Sequence, residues 1–187
     1  MIEDQQQILD AHFIVPFVLL ERAFQSQSGE HFVMASGSVI DINDLMMFYR
    51  NPEESDDGKA KDAKSVLEPY WKLNNQVLRK HLRELQLDVA EFLFLAAIIY
   101  WDFGLPDQSD TSIQICMSMR SKIVQHLTTF EKEHRRNGDH SLRVAEVMMV
   151  LQTVQKSINQ MHECREISLV YDLQARACPL FDSFKDE

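Results

Sequence analysis

The chain has 187 residues, 45% of them hydrophobic, and a formal net charge of -10. That length supports one domain with one sizeable core. The charge excludes a general affinity for nucleic acid or anionic membrane, which needs clustered lysine and arginine. Three cysteines (Cys116, Cys164, Cys178) without C-x-x-C spacing exclude a DNA-binding zinc module and suit free thiols in a reducing compartment.

Glu3 and Asp4 stand where a signal peptide would carry its basic region, and the longest apolar run, residues 89–101, is too short to span a bilayer. A soluble intracellular protein is expected. With five glycines and five prolines the chain has few turn residues, so long helices with short breaks are expected rather than a sheet-rich fold.

In chain order, residues 2 to about 27 read as one helix interrupted at Pro16, whose ring removes a backbone hydrogen bond and bends the rod. His31-Phe32-Val33-Met34 and Ser38-Val39-Ile40-Asp41, bracketed by Gly29 and Gly37, read as a small hairpin. A short helix follows at about 43–49, then a polar, mobile loop at 51–61. Residues 62–86 carry Leu67, Tyr70/Trp71, Leu73, Val77/Leu78, Leu82 and Leu85 at steps of three and four, the spacing of one long helix.

Asp88-Val89-Ala90-Glu91 is a capping pattern, and the helix it opens is apolar on nearly every face, so other helices are expected around it. Gly104-Leu105-Pro106 ends it. Residues 109–136 carry Ile113, Cys116, Met119, Ile123, Leu127 and Phe130 on one stripe, with Asn137-Gly138 as the stop. The last long helix, about 141–172, has a seam of Val144, Val147, Met148, Leu151, Val154, Ile158 and Met161. At 1.5 Å per residue it spans about 45–50 Å, longer than a small domain is wide, which leaves a surplus face for a partner. Residues 178–185 are expected to form a short amphipathic tail helix.

His162-x-Cys164 invites a metal or thiol-nucleophile reading, but positions i and i+2 on a helix point to different faces. The sequence holds no Gly-rich phosphate loop, no H-E-x-x-H and no G-x-S-x-G, and its seven histidines do not cluster, so it is not read as an enzyme.

Glu3-Asp4-Gln5-Gln6-Gln7-Ile8-Leu9, running into the apolar stretch 13–24, resembles the Asp-Gln-x-x-(Leu/Ile)-Leu signature of nuclear hormone receptor ligand-binding domains. Asp10-Ala11-His12, Asp88-Val89-Ala90-Glu91-Phe92-Leu93-Phe94-Leu95, Ser141-Leu142-Arg143 and Arg165-Glu166-Ile167-Ser168-Leu169-Val170-Tyr171-Asp172-Leu173 extend the likeness over nearly the whole chain. Its flavour is the branch related to hepatocyte nuclear factor 4, much expanded in nematodes. The resemblance implies an all-α, three-layer helical sandwich with one small β-hairpin. It also implies that residues 1–187 are a partial ligand-binding domain opening at the family's fourth helix, without the N-terminal helices or a DNA-binding domain.

The same resemblance places a pocket for a small hydrophobic or fatty-acid-like ligand at Phe17, Val18, Leu20, Glu21 and Phe24 of the first helix, Phe32 and Met34 of the hairpin, and Met161 and Cys164 of the last helix. Relatives that hold a fatty acid place an arginine near the end of the kinked helix. Phe24 stands at the matching position and Arg22, two positions away, is the nearest cation, so an apolar ligand, or none, fits as well as a fatty acid. Leu180, Asp182 and Phe184 fall on the tail activation motif that caps a coactivator helix, with Pro179 and Ser183 where hydrophobic residues are usual. Met148, Leu151, Gln152 and Gln155 fall on the tenth-helix face through which the family pairs with a second copy or another receptor.

A Glu91–Arg143 charge pair fits the same pattern, although a cap and a surface cation explain the two residues equally well. Other readings stand beside these. Phe, Leu and Met at helical spacing are also what an ordinary core looks like, the face of Met148, Leu151, Gln152 and Gln155 could pack inside the domain, and Asp182 could be a solvated residue near a chain end. The resemblance implies a ligand-responsive regulator of transcription, in the nucleus and also able to sit in the cytoplasm, with coregulators and a dimer partner. It implies no other cofactor, no metal, no membrane and no nucleic acid bound directly by this chain. The alternative is a helical scaffold or adaptor unrelated to receptors that binds a partner protein without a ligand.

Overall fold

The computed structural model of the chain describes residues 3–29, 31–33, 37, 39–41, 44–49, 58–134 and 139–170. The first helix, α1 (Glu3–Gln25), buries Leu9, Val15, Leu19, Leu20 and Ala23 on one face. Pro16 lies inside it but does not divide it into two elements. The missing N–H leaves the His12 carbonyl without its helical donor, and His12 is exposed, where water can take the donor's place.

The hairpin forms as its β-branched and aromatic residues require. β1 (Phe32–Val33) and β2 (Val39–Ile40) pair antiparallel with Phe32 opposite Ile40 and Val33 opposite Val39. Gly37 has φ 80°, a left-handed turn position that favours glycine. Phe32, Ile40 and Leu45 make a small satellite core with Tyr49 at the end of α2 (Met46–Tyr49).

The single long helix expected next is a composite. α3 (Gly58–Asn74) passes into a π-helical turn (Asn75–Arg79) and then α4 (Lys80–Leu85). It begins earlier than the polar composition suggests, because Ala60 and Ala63 are small enough to pack and are buried. Pro69 therefore sits well inside the helix. The wider π turn advances less per residue than an α turn, and Leu78, Arg79 and Leu82 all end up buried.

α4 closes on Gln86, in the left-handed conformation at φ 50° and ψ 54°. Its N–H bonds to the Arg83 carbonyl and that of Leu87 to the Leu82 carbonyl, both at 3.3 Å, which is the Schellman arrangement. Asp88 then opens α5 (Val89–Tyr100) with the expected reciprocal cap: Glu91 N donates to Asp88 Oδ1 and Asp88 N to Glu91 Oε2, each at 2.9 Å.

α5 is the middle layer, packed by α1, α6 (Asp110–His134) and α7 (His140–Val170). It is not covered all round, however: Val89 and Leu93 are 62% and 59% exposed, whereas Glu91, its one acidic residue, is wholly buried. α7, at 31 residues, is about 46 Å long and also packs along α3, the π turn and α4. Its Val147, Val150 and Val154 enter the main core with Leu19, Leu20, Leu78, Leu82, Leu95 and Leu127. Thr153 turns to α4, where its hydroxyl lies 2.8 Å from His81 Nδ1. Among the described residues no helix is long and apolar enough to cross a membrane.

Candidate functional site

α1 and α5 run antiparallel, joined by rings. Phe24 stacks on Phe92 at 4.6 Å and Phe17 lies 6.2 Å from the same ring. Phe13 stacks on Phe17 at 4.9 Å and meets Tyr100 edge-on at 5.4 Å. These separations are those of favourable aromatic pairs. The Tyr100 hydroxyl donates to Asp10 at 3.0 Å, and burial first, then that carboxylate, raises its pKa.

The structure divides the residues expected to hold a ligand. Leu20 is wholly buried in the main core, and Phe17, Phe24 and Met161 pack against it, half-buried. Val18 and Glu21 are half-buried elsewhere on α1, with the Gln25 amide donating to Glu21 Oε1 at 2.6 Å. Phe32 belongs to the separate satellite core. Cys164 is half-buried one turn beyond Met161. Met34, Leu180, Asp182 and Phe184 lie outside the described residues. Of the expected dimer face, Gln152 and Gln155 are exposed, Met148 is half-buried and Leu151 packs against the main core.

Burial, with a smaller contribution from the neighbouring Glu163 charge, pushes the Cys164 thiol up to about 11. It is protonated near neutral pH and so a poor nucleophile. Alkylation by iodoacetamide is therefore expected to be slow at neutral pH and to accelerate as pH approaches that value. Rapid labelling of Cys164 at neutral pH, followed by mass spectrometry, would contradict this. Among the described residues no group of three or more His, Cys, Asp or Glu could hold a metal ion.

Two arginines that the sequence reading did not single out fix the end of α1. Arg79, 2% exposed, donates from Nε to the Ser26 carbonyl at 2.8 Å and from Nη2 to the Gly29 carbonyl. Arg83 donates to the carbonyls of Gln27 at 3.0 Å and Gly29 at 2.8 Å. Guanidinium groups here satisfy carbonyls beyond the helix C-terminus and oppose its dipole. Burial first, and the Arg83 charge second, lower the Arg79 pKa. Ser26 Oγ accepts from Val33 N at 2.9 Å, so the same clamp carries the hairpin. The sequence signal was a buried-phase arginine, visible only once the π turn is known.

A model of the ligand-binding domain of nuclear hormone receptors matches residues 1–171. The chain belongs to that family. It is 43% identical over 184 residues to the nuclear hormone receptor family member nhr-42 of Caenorhabditis elegans, covering 98% of this chain and 52% of that protein. Against nhr-108 and nhr-176 of the same organism it is 34% and 35% identical, covering 96% of this chain and 53% and 52% of theirs. It thus spans about half the length of these relatives. The family membership excludes the alternative of a scaffold unrelated to receptors.

In this receptor domain the signature residue Gln5 has a definite mechanical role. Its amide donates to the Asp107 carbonyl at 3.2 Å and accepts from Ser109 N at 2.7 Å, tying the start of α1 to the loop between α5 and α6. The Glu91–Arg143 pair is present as well, and Glu91 serves as cap and partner together. Arg143 Nε and Nη2 reach Glu91 Oε1 and Oε2 at 2.5 and 2.7 Å, and Nη1 donates to the Leu85 carbonyl at 2.9 Å. Burial is the largest influence on Glu91 and acts upward. The Arg143 hydrogen bonds and the Asp88 N–H outweigh it, and the carboxyl titrates below its ordinary value. Burial likewise opposes the Arg143 charge, but Glu91, with Glu131 and Glu146 behind it, raises its pKa. The bidentate pair therefore ties α7 to α5, and the separate Nη1 bond ties it to the end of α4.

Proposed function

We propose that this receptor domain is a non-catalytic, ligand-responsive module of a transcription regulator acting in the nucleus. Its ligand is a small hydrophobic or fatty-acid-like molecule held between α1 and α7, at Phe17, Val18, Leu20, Glu21, Phe24, Met161 and Cys164; Met34 would join it, while Phe32 packs in the satellite core. One observation carries the reading: in a family named for ligand binding, Phe17, Leu20, Phe24 and Met161 converge on one apolar cluster from two different helices. Leu180, Asp182 and Phe184 would engage coregulator proteins. Met148, Leu151, Gln152 and Gln155 would pair the domain with another receptor, the exposed glutamines making the contact and Leu151 supporting it from the core. A ligand acts by favouring the conformation that coregulators bind. The net charge of -10 supports contacts to proteins rather than to nucleic acid.

The test is a reporter assay with the chain fused to a heterologous DNA-binding domain. The fusion is expected to shift reporter output in either direction, Met161→Trp to abolish the response to added lipid extract, and Asp182→Lys to abolish the shift itself. A fusion indistinguishable from the DNA-binding domain alone overturns the reading.

A further inference from the structure

We propose that the Ser157 hydroxyl is the polar anchor of the α1–α7 ligand site, and that the ligand it selects is a neutral, otherwise apolar alcohol rather than a carboxylate. Serine and threonine inside a helix commonly turn the hydroxyl back to a carbonyl of the preceding turn. Thr128, Thr129 and Ser168 do so, at 2.8, 3.0 and 2.8 Å. Thr153, one turn before Ser157, lies 2.8 Å from His81 Nδ1 instead. Ser157 does neither. It is 0% exposed, covered by this chain's own residues, and its Oγ meets no hydrogen-bond partner among the described residues. Gln160 Oε1, three positions on, is likewise buried without a partner among them. A buried polar atom left unpaired costs free energy that a hydrogen-bonding ligand recovers.

Position and surroundings name the partner. Steps of three and four put Ser157, Gln160, Met161 and Cys164 on one face of α7. Met161 packs against the apolar cluster that Phe17, Leu20 and Phe24 enter from α1. The two orphan oxygens thus stand one turn or less from the proposed ligand site, and the inference rests on that reading. No cation is placed to receive a carboxylate beside them. Arg79, on the π turn that α7 packs against, is turned to the Ser26 and Gly29 carbonyls. Arg165 lies eight residues beyond Ser157, about 12 Å along the helix, and pairs with Glu166. Burial already holds the Cys164 thiol neutral, and the same desolvation disfavours a carboxylate here. One alcohol group can serve both oxygens, accepting from Ser157 Oγ and donating to Gln160 Oε1.

Equilibrium dialysis of the chain against tritiated lauryl alcohol, lauryl chloride and laurate tests it. The alcohol is expected to bind at least about tenfold more tightly than the chloride, which matches its length but forms no comparable hydrogen bond, and than the carboxylate. Ser157→Ala should erase the alcohol's advantage while leaving chloride binding within about twofold of the unaltered chain. Thr153→Val, which removes a hydroxyl that His81 already engages, should leave the advantage intact. Equal affinity for alcohol and chloride, or an advantage that survives Ser157→Ala, overturns the anchor and leaves the ligand site standing. Tightest binding of laurate overturns the choice of an alcohol and returns the site to a fatty acid. A chain that binds none of the three overturns the ligand reading together with the anchor.

Discussion

Arg143→Met is expected to destabilise the domain by about 3–5 kcal/mol, the cost of leaving a buried charge without its partner. Glu91 is 0% exposed, so once Arg143 is gone its carboxylate keeps the Asp88 cap but loses both guanidinium bonds. Typical domains have about 5–15 kcal/mol in total, so the loss is a large fraction. The double replacement Glu91→Leu with Arg143→Met removes that pair but leaves the wholly buried Glu131, whose charge also faces Arg143, so it is expected to recover only part of the loss, less the cap. Urea unfolding of the three proteins decides it. A single variant within about 0.5 kcal/mol of wild type would mean that the pair contributes nothing. The pH dependence follows from the direction of the shift. Glu91 titrates lower in the folded chain than its ordinary 4.5, so its contribution is fully present above that value. It is lost as pH falls through the lower, folded value. Arg143 is shifted upward and titrates far above any working pH, so only the acid side shows the pair.

Arg79→Met is the second large effect, at about 2–4 kcal/mol, because it removes charged donors from two carbonyls that terminate α1. Arg83→Met, whose bonds to Gln27 and Gly29 are exposed to solvent, is expected to cost under about 1 kcal/mol. Hydrogen exchange adds a local readout: the Val33 amide, held by Ser26 Oγ, should lose protection in Arg79→Met at denaturant concentrations where α6 stays protected. Equal effects of the two arginines, or a hairpin unaffected by either, would show that the clamp does not hold this end of the site.

Much of the fold was legible because local chemistry decided it. The cap at Asp88, the glycine-bracketed hairpin and the periodic stripes of α6 and α7 are short-range patterns, and each appears where the residues put it. The π turn was not legible, since an α pattern and a π pattern share the same leucines and differ only in phase. That one phase change hid Arg79 from the reading, although it is among the most deeply buried charged residues described. The pocket residues were legible as apolar but not as a group. Phe17 and Phe24 are held by Phe92, from a helix whose packing direction the sequence does not state, while Phe32 packs elsewhere.

By itself, then, the order of residues determined the helical class, most element boundaries, the Asp88 cap and the family, because these depend on interactions between near neighbours and on their spacing. Tertiary packing alone decided that Glu91 serves both as a cap and as the anchor of Arg143, that two arginines close the end of α1, and that α5 leaves Val89 and Leu93 uncovered. Each of these joins residues about fifty or more positions apart, or depends on which neighbours are present. A one-dimensional pattern does not encode which distant carbonyls a buried arginine satisfies or which side chains cover an apolar edge.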